Sequence, residues 1–231
     1  MKRFYKQASF AETPDGYAIT LDGKPIRTTA GKPLIIDRHQ KLAQEIAAEW
    51  EAQVETIKPS TMPMTQLATT ALDRVVPERK AILSHLVAYA ETDLLCYRAQ
   101  SPAGLRARQD THWQPLLDWL DSELGAALVV TEGIVAIEQP SHALTRIHGC
   151  FDGLDTWRLT AAQVAAAASG SAVLALALAW GRVDGEQVFT LSQIDDDWQT
   201  ERWGDDAEAV QRRKNLRADI LAADKLLRLI G

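Results

Sequence analysis

The rhythm of apolar and polar positions changes near residue 60. Before it, short alternating stretches dominate. "YAITLDGKPIRTT" (17–29) predicts a strand, a turn and a second strand, because Asp22-Gly23 supplies the positive φ angles of a tight hairpin. "KPLIID" (32–37) predicts a further strand, and "RFYK" (3–6) the start of the sheet. Asp37 then predicts a helix N-cap, with Gln40 three residues on completing a capping box. The helix that follows carries Leu42, Ile46, Trp50 and Val54 on one face at i, i+4 spacing.

After Lys58-Pro59-Ser60 the pattern is almost purely helical. "MPMTQLATTALDRV" (62–75) ends before Pro77, which suits the first position of the next helix, "PERKAILSHLVAYAET" (77–92). Residues 102–124 place Leu105, Gln109, His112, Leu116, Leu120 and Leu124 on a stripe interrupted at Pro115. "LVVTEGIVAIE" (128–138) alone among the later segments has strand character. Residues 159–181 carry no formal charge and predict two short buried helices meeting near Ser169-Gly170-Ser171. Two final helices are expected over 184–203 and 205–230. Neither an internal repeat nor a low-complexity linker interrupts this order. The fold class expected is α+β: a small β-rich N-terminal domain over 1–60, a hairpin plus one helix, on a larger, mainly α-helical domain over 61–231.

Composition narrows the function classes. A chain of 231 residues, 46% hydrophobic and 24% charged, has the make-up of an ordinary globular protein and can bury a core. Its formal charge is −6, and its nearest basic cluster, Arg212-Arg213-Lys214, fills one helical turn, so nucleic acid is not expected as a partner. Seven tryptophans against four phenylalanines is an unusual balance, and tryptophan is frequent at interfaces. Cys96 and Cys150 match neither a metal-ligand spacing nor a disulfide framework. "MKRFYKQASF" lacks the apolar core of a secretory signal, which leads to the expectation of a reduced, cytoplasmic setting. The uncharged stretch 159–181 is long enough for a bilayer, which takes about 20 apolar residues. Its alanine content, Thr160, Gln163 and the Ser-Gly-Ser break speak against stable membrane insertion.

Signatures of catalysis are missing: the chain has no G-x-G-x-x-G, P-loop, H-E-x-x-H or G-x-S-x-G. No catalytic residue, metal site or cofactor is therefore expected. His112, on its apolar stripe, reads as a hydrogen-bonded core histidine. Cys96 in "DLLCYR" reads as a buried structural thiol, because nothing local lowers its pKa. The alternative is an enzyme of unrecognised type, a hydrolase using Cys96 or His112. A third reading is a membrane-associated assembly factor resting on 159–181.

The densest chemistry lies in "DDDWQTERWGDD" (195–206). Asp195, Asp196 and Asp197 are consecutive on a predicted helix and point about 100° apart, so they do not converge on a metal. They read as helix surface. Gly204 is placed to end one helix in the left-handed conformation, and Asp205 to cap the next with Glu208 at N3. Asp206 favours the same positive helix end. Glu201 is not explained this way, because it continues the apolar row Leu191, Ile194, Trp198. A carboxylate there needs a donor. It is either half of an ion pair, with Arg98, Arg106 or Arg108 as partner, or a carboxylate kept at the edge of the core for a partner protein.

Several stretches together resemble one family. "RFYK" (3–6), "LDGKPIRT" (21–28), "LAQEIAAEWEAQ" (42–53) and "MPMTQLATTALDR" (62–74) follow its N-terminal pattern. "YAETDLLCYRAQSPAGLRARQDTHWQPLLDW" (89–119) and "ERWGDD" (201–206) follow its helical part. It is the assembly chaperone of the F-type ATP synthase that attends the α subunit in mitochondria and α-proteobacteria. The resemblance implies a β-rich N-terminal domain, a helical C-terminal one and a non-enzymatic function. It also implies a monomer that binds the unassembled α subunit until the β subunit replaces it. The family's important glutamate falls on Glu201 and its acidic position on Asp206, with Trp203 and Gly204 between them. A chain without a mitochondrial presequence corresponds to the bacterial form.

Overall fold

A computed structural model describes residues 1–204 and 206–231, which form two compact units. The first comprises Met1–Arg79 with Thr156–Thr160 and Lys225–Gly231; the second comprises Lys80–Asp155 and Ala161–Asp224. The class is α+β, with the strands concentrated near the N-terminus.

In the first unit, β1 (Ala8–Thr13) and β2 (Gly16–Leu21) form an antiparallel hairpin in full register, Ala8 opposite Leu21 and Thr13 opposite Gly16. On its other side β2 pairs antiparallel with β3 (Lys24–Pro25) and β4 (Ile35–Ile36). The Asp22-Gly23 turn has φ of 49° and 76°, the two positive values expected of this hairpin. The Asp22 carboxylate accepts the Lys6 and Gln7 N–H groups at 3.0 and 2.9 Å, which lowers its pKa. "RFYK" is not a strand of this sheet. Instead Lys2 bridges Thr56, while the Arg3 guanidinium gathers the carbonyls of Tyr5, Lys6 and Gln53.

The helix α1 (Gln40–Glu51) buries Leu42, Ala43, Ile46 and Ala47. Its N-cap position is His39, which gives no side-chain cap; the Asp37 carboxylate accepts the Trp157 indole N–H at 2.5 Å instead. The capping box expected at Asp37 is therefore not formed, and Val54 lies past the helix end, 79% exposed.

Helix α2 (Pro63–Thr70) starts with proline in its first turn and continues into a wide π turn over Ala71–Val75. Residues 61–79 fall within the first unit rather than beyond a join near residue 60. Two carboxylates tie them there. Glu49, 7% exposed, accepts the Met64 and Thr65 N–H groups at 2.7 and 2.8 Å and the Thr65 hydroxyl at 2.7 Å, so α1 caps α2. Asp73 accepts the Thr28 hydroxyl at 2.6 Å and the Ala30 N–H at 3.0 Å, holding the turn before β4.

The second unit is helical. It contains α3 (Arg79–Glu91), then a short 3₁₀ turn leading to β5 (Tyr97–Arg98), and α4 (Ala103–Leu124). β6 (Thr131–Glu132) pairs parallel with β5. The strand expected across 128–138 shrinks to these two residues, and Ile134 and Val135 beyond them are exposed. The remaining helices are α5 (Ser141–Asp152), α6 (Thr156–Ser169), α7 (Ala172–Ala179), α8 (Gly185–Ser192), α9 (Ile194–Trp203) and α10 (Ala207–Ile230), with the start of α6 and the end of α10 belonging to the first unit.

Helix α4 runs through Pro115 without a break and buries Gln109, Trp113, Leu116, Leu117 and Leu120. This face excludes His112, which is exposed, so the core-histidine reading is corrected. The uncharged stretch divides as its Ser-Gly-Ser break implied. Every residue of α7 is buried, and the Ser171 hydroxyl caps it by accepting the Leu174 N–H at 3.0 Å. No helix among the described residues is long and apolar enough to cross a membrane.

Behind Ser171 lies Asp93, fully buried. Its Oδ1 accepts the Leu95 N–H at 3.0 Å and the Ser171 hydroxyl at 2.7 Å, and its Oδ2 accepts the Val173 N–H at 3.0 Å. One carboxylate thus fixes the 3₁₀ turn and the start of α7 together. Burial pushes its pKa up from 3.8 to about 6 against the pull of these bonds.

Candidate partner-docking site

Helix α9 carries the acid-rich stretch. Three acids fill its first turn and Arg202 its last, an order that complements the helix dipole. The three aspartates diverge as their spacing requires, and each finds a partner. Asp195 accepts the Gln109 side-chain N–H of α4 at 2.7 Å, while Asp197 pairs with Arg213 and Asp196 lies 3.7 Å from Arg212, both on α10. More than helix surface, they lash α9 to its neighbours on two sides. Burial raises the Asp195 pKa.

Farther along α9, Trp198 packs against α4 at Gly104. A Cβ built on Gly104 would meet Trp198 Cη2 at 2.7 Å, a distance that side chains do not tolerate. The guanidinium carbon of Arg202 lies 3.4 Å from the Trp198 ring centroid, and that of Arg108 lies 5.1 Å from it. Glu201 is half-exposed and gripped by Arg108 through two bonds, Nη1 to Oε1 at 2.8 Å and Nη2 to Oε2 at 3.0 Å. Arg202 Nη1 adds a third contact to Oε2 at 3.8 Å. Arg108 accordingly lowers the Glu201 pKa. Of the three arginines the sequence offered, Arg98 goes to Asp110, Arg106 to Asp110 and Glu132, and Arg108 to Glu201.

Trp203 ends α9 and is 78% exposed. Gly204 follows at φ 79° and ψ 174°, so φ is positive as expected but the backbone is extended rather than left-handed helical. Asp206 then caps α10, accepting the Ala209 N–H at 2.7 Å. The cap expected at Asp205 lies outside the described residues; Asp206 holds the N-cap bond, which places Glu208 at N2. Trp203 and Asp206 line one shallow cleft of about 190 Å³ together with Asp196, Arg212 and Arg213. That is smaller than the roughly 300–1,000 Å³ of small-molecule sites. Glu201 is not among its lining residues and faces α4 instead.

The residues considered for catalysis are not brought into such an arrangement. Cys96 is fully buried, and burial, reinforced by the Asp93 carboxylate, pushes its thiol up to about 12. Such a thiol holds its proton at neutral pH and is a poor nucleophile. His112 is exposed on α4. Among the described residues no group of histidine, cysteine, aspartate or glutamate could hold a metal ion.

Comparison with known proteins now decides the family. The profile of the ATP12 chaperone protein family matches residues 2–121, just over half of the chain. The chain belongs to the ATP12 chaperone family. This is the assembly-chaperone family that the sequence motifs resemble. A curated relative, the mitochondrial protein atp12 of Schizosaccharomyces pombe, is 27% identical over 214 residues, covering 88% of this chain and 74% of its own length. The crystal structure of Atp12 from Paracoccus denitrificans superposes with a TM-score of 0.94 at 35% identity, covering 100% of this chain and 98% of that one. A structure from Agrobacterium tumefaciens matches with a TM-score of 0.92 at 37% identity, over 100% of this chain and 86% of the other.

Sequence reasoning picked out Glu201, Trp203 and Asp206 but missed Gly104 and Gln109, which seat α9. A signal for Gly104 existed. Gly104 and Arg108 stand at i, i+4 on α4 while Trp198 and Glu201 stand at i, i+3 on α9, and such spacings lie on one helix face.

Proposed function

We propose that this protein is an assembly chaperone of the F-type ATP synthase that binds the unassembled α subunit as a monomer and prevents its aggregation until the β subunit takes its place. The observation that carries the reading is the agreement with Atp12 structures over the whole chain. An orphan subunit exposes apolar surface that its neighbour would cover, and such patches drive self-association. A chaperone must cover that surface and then let go, so it needs a modest polar-rimmed contact and no catalytic constellation. Trp203 fits this requirement: a large exposed indole between Glu201 and Asp206, with basic and acidic side chains around it. Charges at such a rim contribute to encounter rate and specificity more than to affinity.

The test is light scattering of isolated α subunit with and without the purified chaperone, with the complex measured by size-exclusion chromatography. Wild type should suppress scattering and co-elute with α at one to one. Glu201→Lys should lower affinity about tenfold, a loss of about 1.4 kcal/mol, while its circular dichroism stays that of wild type. A Glu201→Lys protein that unfolds, or binds α as wild type does, would remove this carboxylate from the docking site. Failure of the wild type to bind α at all would refute the partner.

A further inference from the structure

Glu201 is an unusual docking charge, because in the free protein it is already occupied. Both of its oxygens accept from Arg108, and Arg202 stands at 3.8 Å, so one carboxylate faces two guanidinium groups. A basic group on a partner would have to displace a two-bond Arg–carboxylate fork, the strongest geometry such pairs adopt.

The surrounding contacts give the pair another use. Gly104 admits the Trp198 ring to the surface of α4. One turn along α4 Arg108 meets Glu201, three residues beyond Trp198 on α9. Two contacts one turn apart on the same pair of helix faces fix the rotation of α9 about its own axis. Trp203 stands two residues past Glu201, about 200° around the helix from it at roughly 100° per residue. Glu201 turned inward onto α4 therefore sets Trp203 outward, as its 78% exposure records.

We infer that Arg108 is a positioning residue for partner binding, and that Glu201 acts through it, by clamping α9 on α4 so that Trp203 is presented to the client. This rests on the proposed function, since it concerns how the same site engages an unassembled subunit.

The experiment measures the affinity of Glu201→Gln, Arg108→Gln, the double variant, the exchanged pair Arg108→Glu/Glu201→Arg, and Trp203→Ala for isolated α subunit, with thermal melts alongside. The two single variants should weaken binding equally, by about fivefold to tenfold, and the double variant no further, because either change opens the same clamp. The exchanged pair should recover most of the affinity, which a directly contacting carboxylate cannot do. Trp203→Ala should lose the most, about tenfold to a hundredfold, as the buried anchor of the contact. Melting temperatures close to wild type separate these losses from unfolding. Weakening by Glu201→Gln with Arg108→Gln unaffected, additive losses in the double variant, or no recovery in the exchanged pair would each overturn the inference while leaving the docking site in place. Normal binding by Trp203→Ala and both single variants would instead refute the docking site itself.

Discussion

Replacing Asp93 by asparagine removes a single charge and keeps the shape, yet it should be among the costlier changes in the second unit. Asp93 Oδ1 accepts from Leu95 N and Ser171 Oγ, and Oδ2 accepts from Val173 N, all in a fully buried setting. Asparagine can leave its carbonyl toward Leu95 and Ser171, but its amide NH₂ then meets the Val173 N–H, donor against donor. An orphaned buried donor costs about 1–3 kcal/mol. Two are created, the Val173 N–H and the new amide, so Asp93→Asn should destabilise by roughly 2–6 kcal/mol. The assay is urea unfolding followed by circular dichroism at pH 7.5, with the midpoint falling and the slope unchanged, since the surface exposed on unfolding is the same. An asparagine variant within about 0.5 kcal/mol of wild type, the range of ordinary surface changes, would mean that these bonds do not hold the 3₁₀ turn and α7 together.

The same residue gives a pH dependence with a definite sign. Burial raises its folded pKa from 3.8 to about 6, so the native state takes up a proton before the unfolded chain does. The associated stability is complete below pH 3.8 and is lost as pH rises through about 6. The stability of wild type relative to Asp93→Asn should therefore increase as pH is lowered from 7.5 to 5; a gap that narrows on acidification would show that the hydrogen bonds outweigh burial and keep Asp93 charged. Gly104→Ala removes a glycine from within a helix, which normally stabilises by about 1 kcal/mol. Here the new Cβ would displace Trp198, at about 1–3 kcal/mol for overpacking, so the melting temperature should fall rather than rise; a rise would mean that Trp198 is not seated on α4.

Local chemistry made some of this fold legible in the sequence. Asp22-Gly23 marks its hairpin through local backbone sterics, and Ser169-Gly170-Ser171 breaks an alanine-rich run where a serine then caps α7. Readings that depended on distant partners fared differently. Asp37 has the spacing of a capping box, but Trp157 claims its carboxylate. Glu49 looks like one more polar residue of an amphipathic helix, yet its acceptors go to the start of α2. His112 shared an apolar row on paper, but the face of α4 that packs is centred on Trp113. At the proposed docking site, Glu201 stood out because it continued an apolar row; the ion pair expected as one of its two readings is formed with Arg108.

The first unit has a temporal property. Its opening segment, Met1–Arg79, shares the unit with Lys225–Gly231, and Lys225 reaches Glu45 on α1 at 2.5 Å. On a ribosome the N-terminal sheet and α1 would emerge long before that partner is made. At about 5–20 residues per second the interval between Arg79 and Lys225 is roughly seven to thirty seconds. Throughout it the nascent first unit lacks Lys225–Gly231, so the Glu45–Lys225 pair forms only after the intervening second unit has been synthesised, and the N-terminal unit of this chaperone is completed after the unit that follows it.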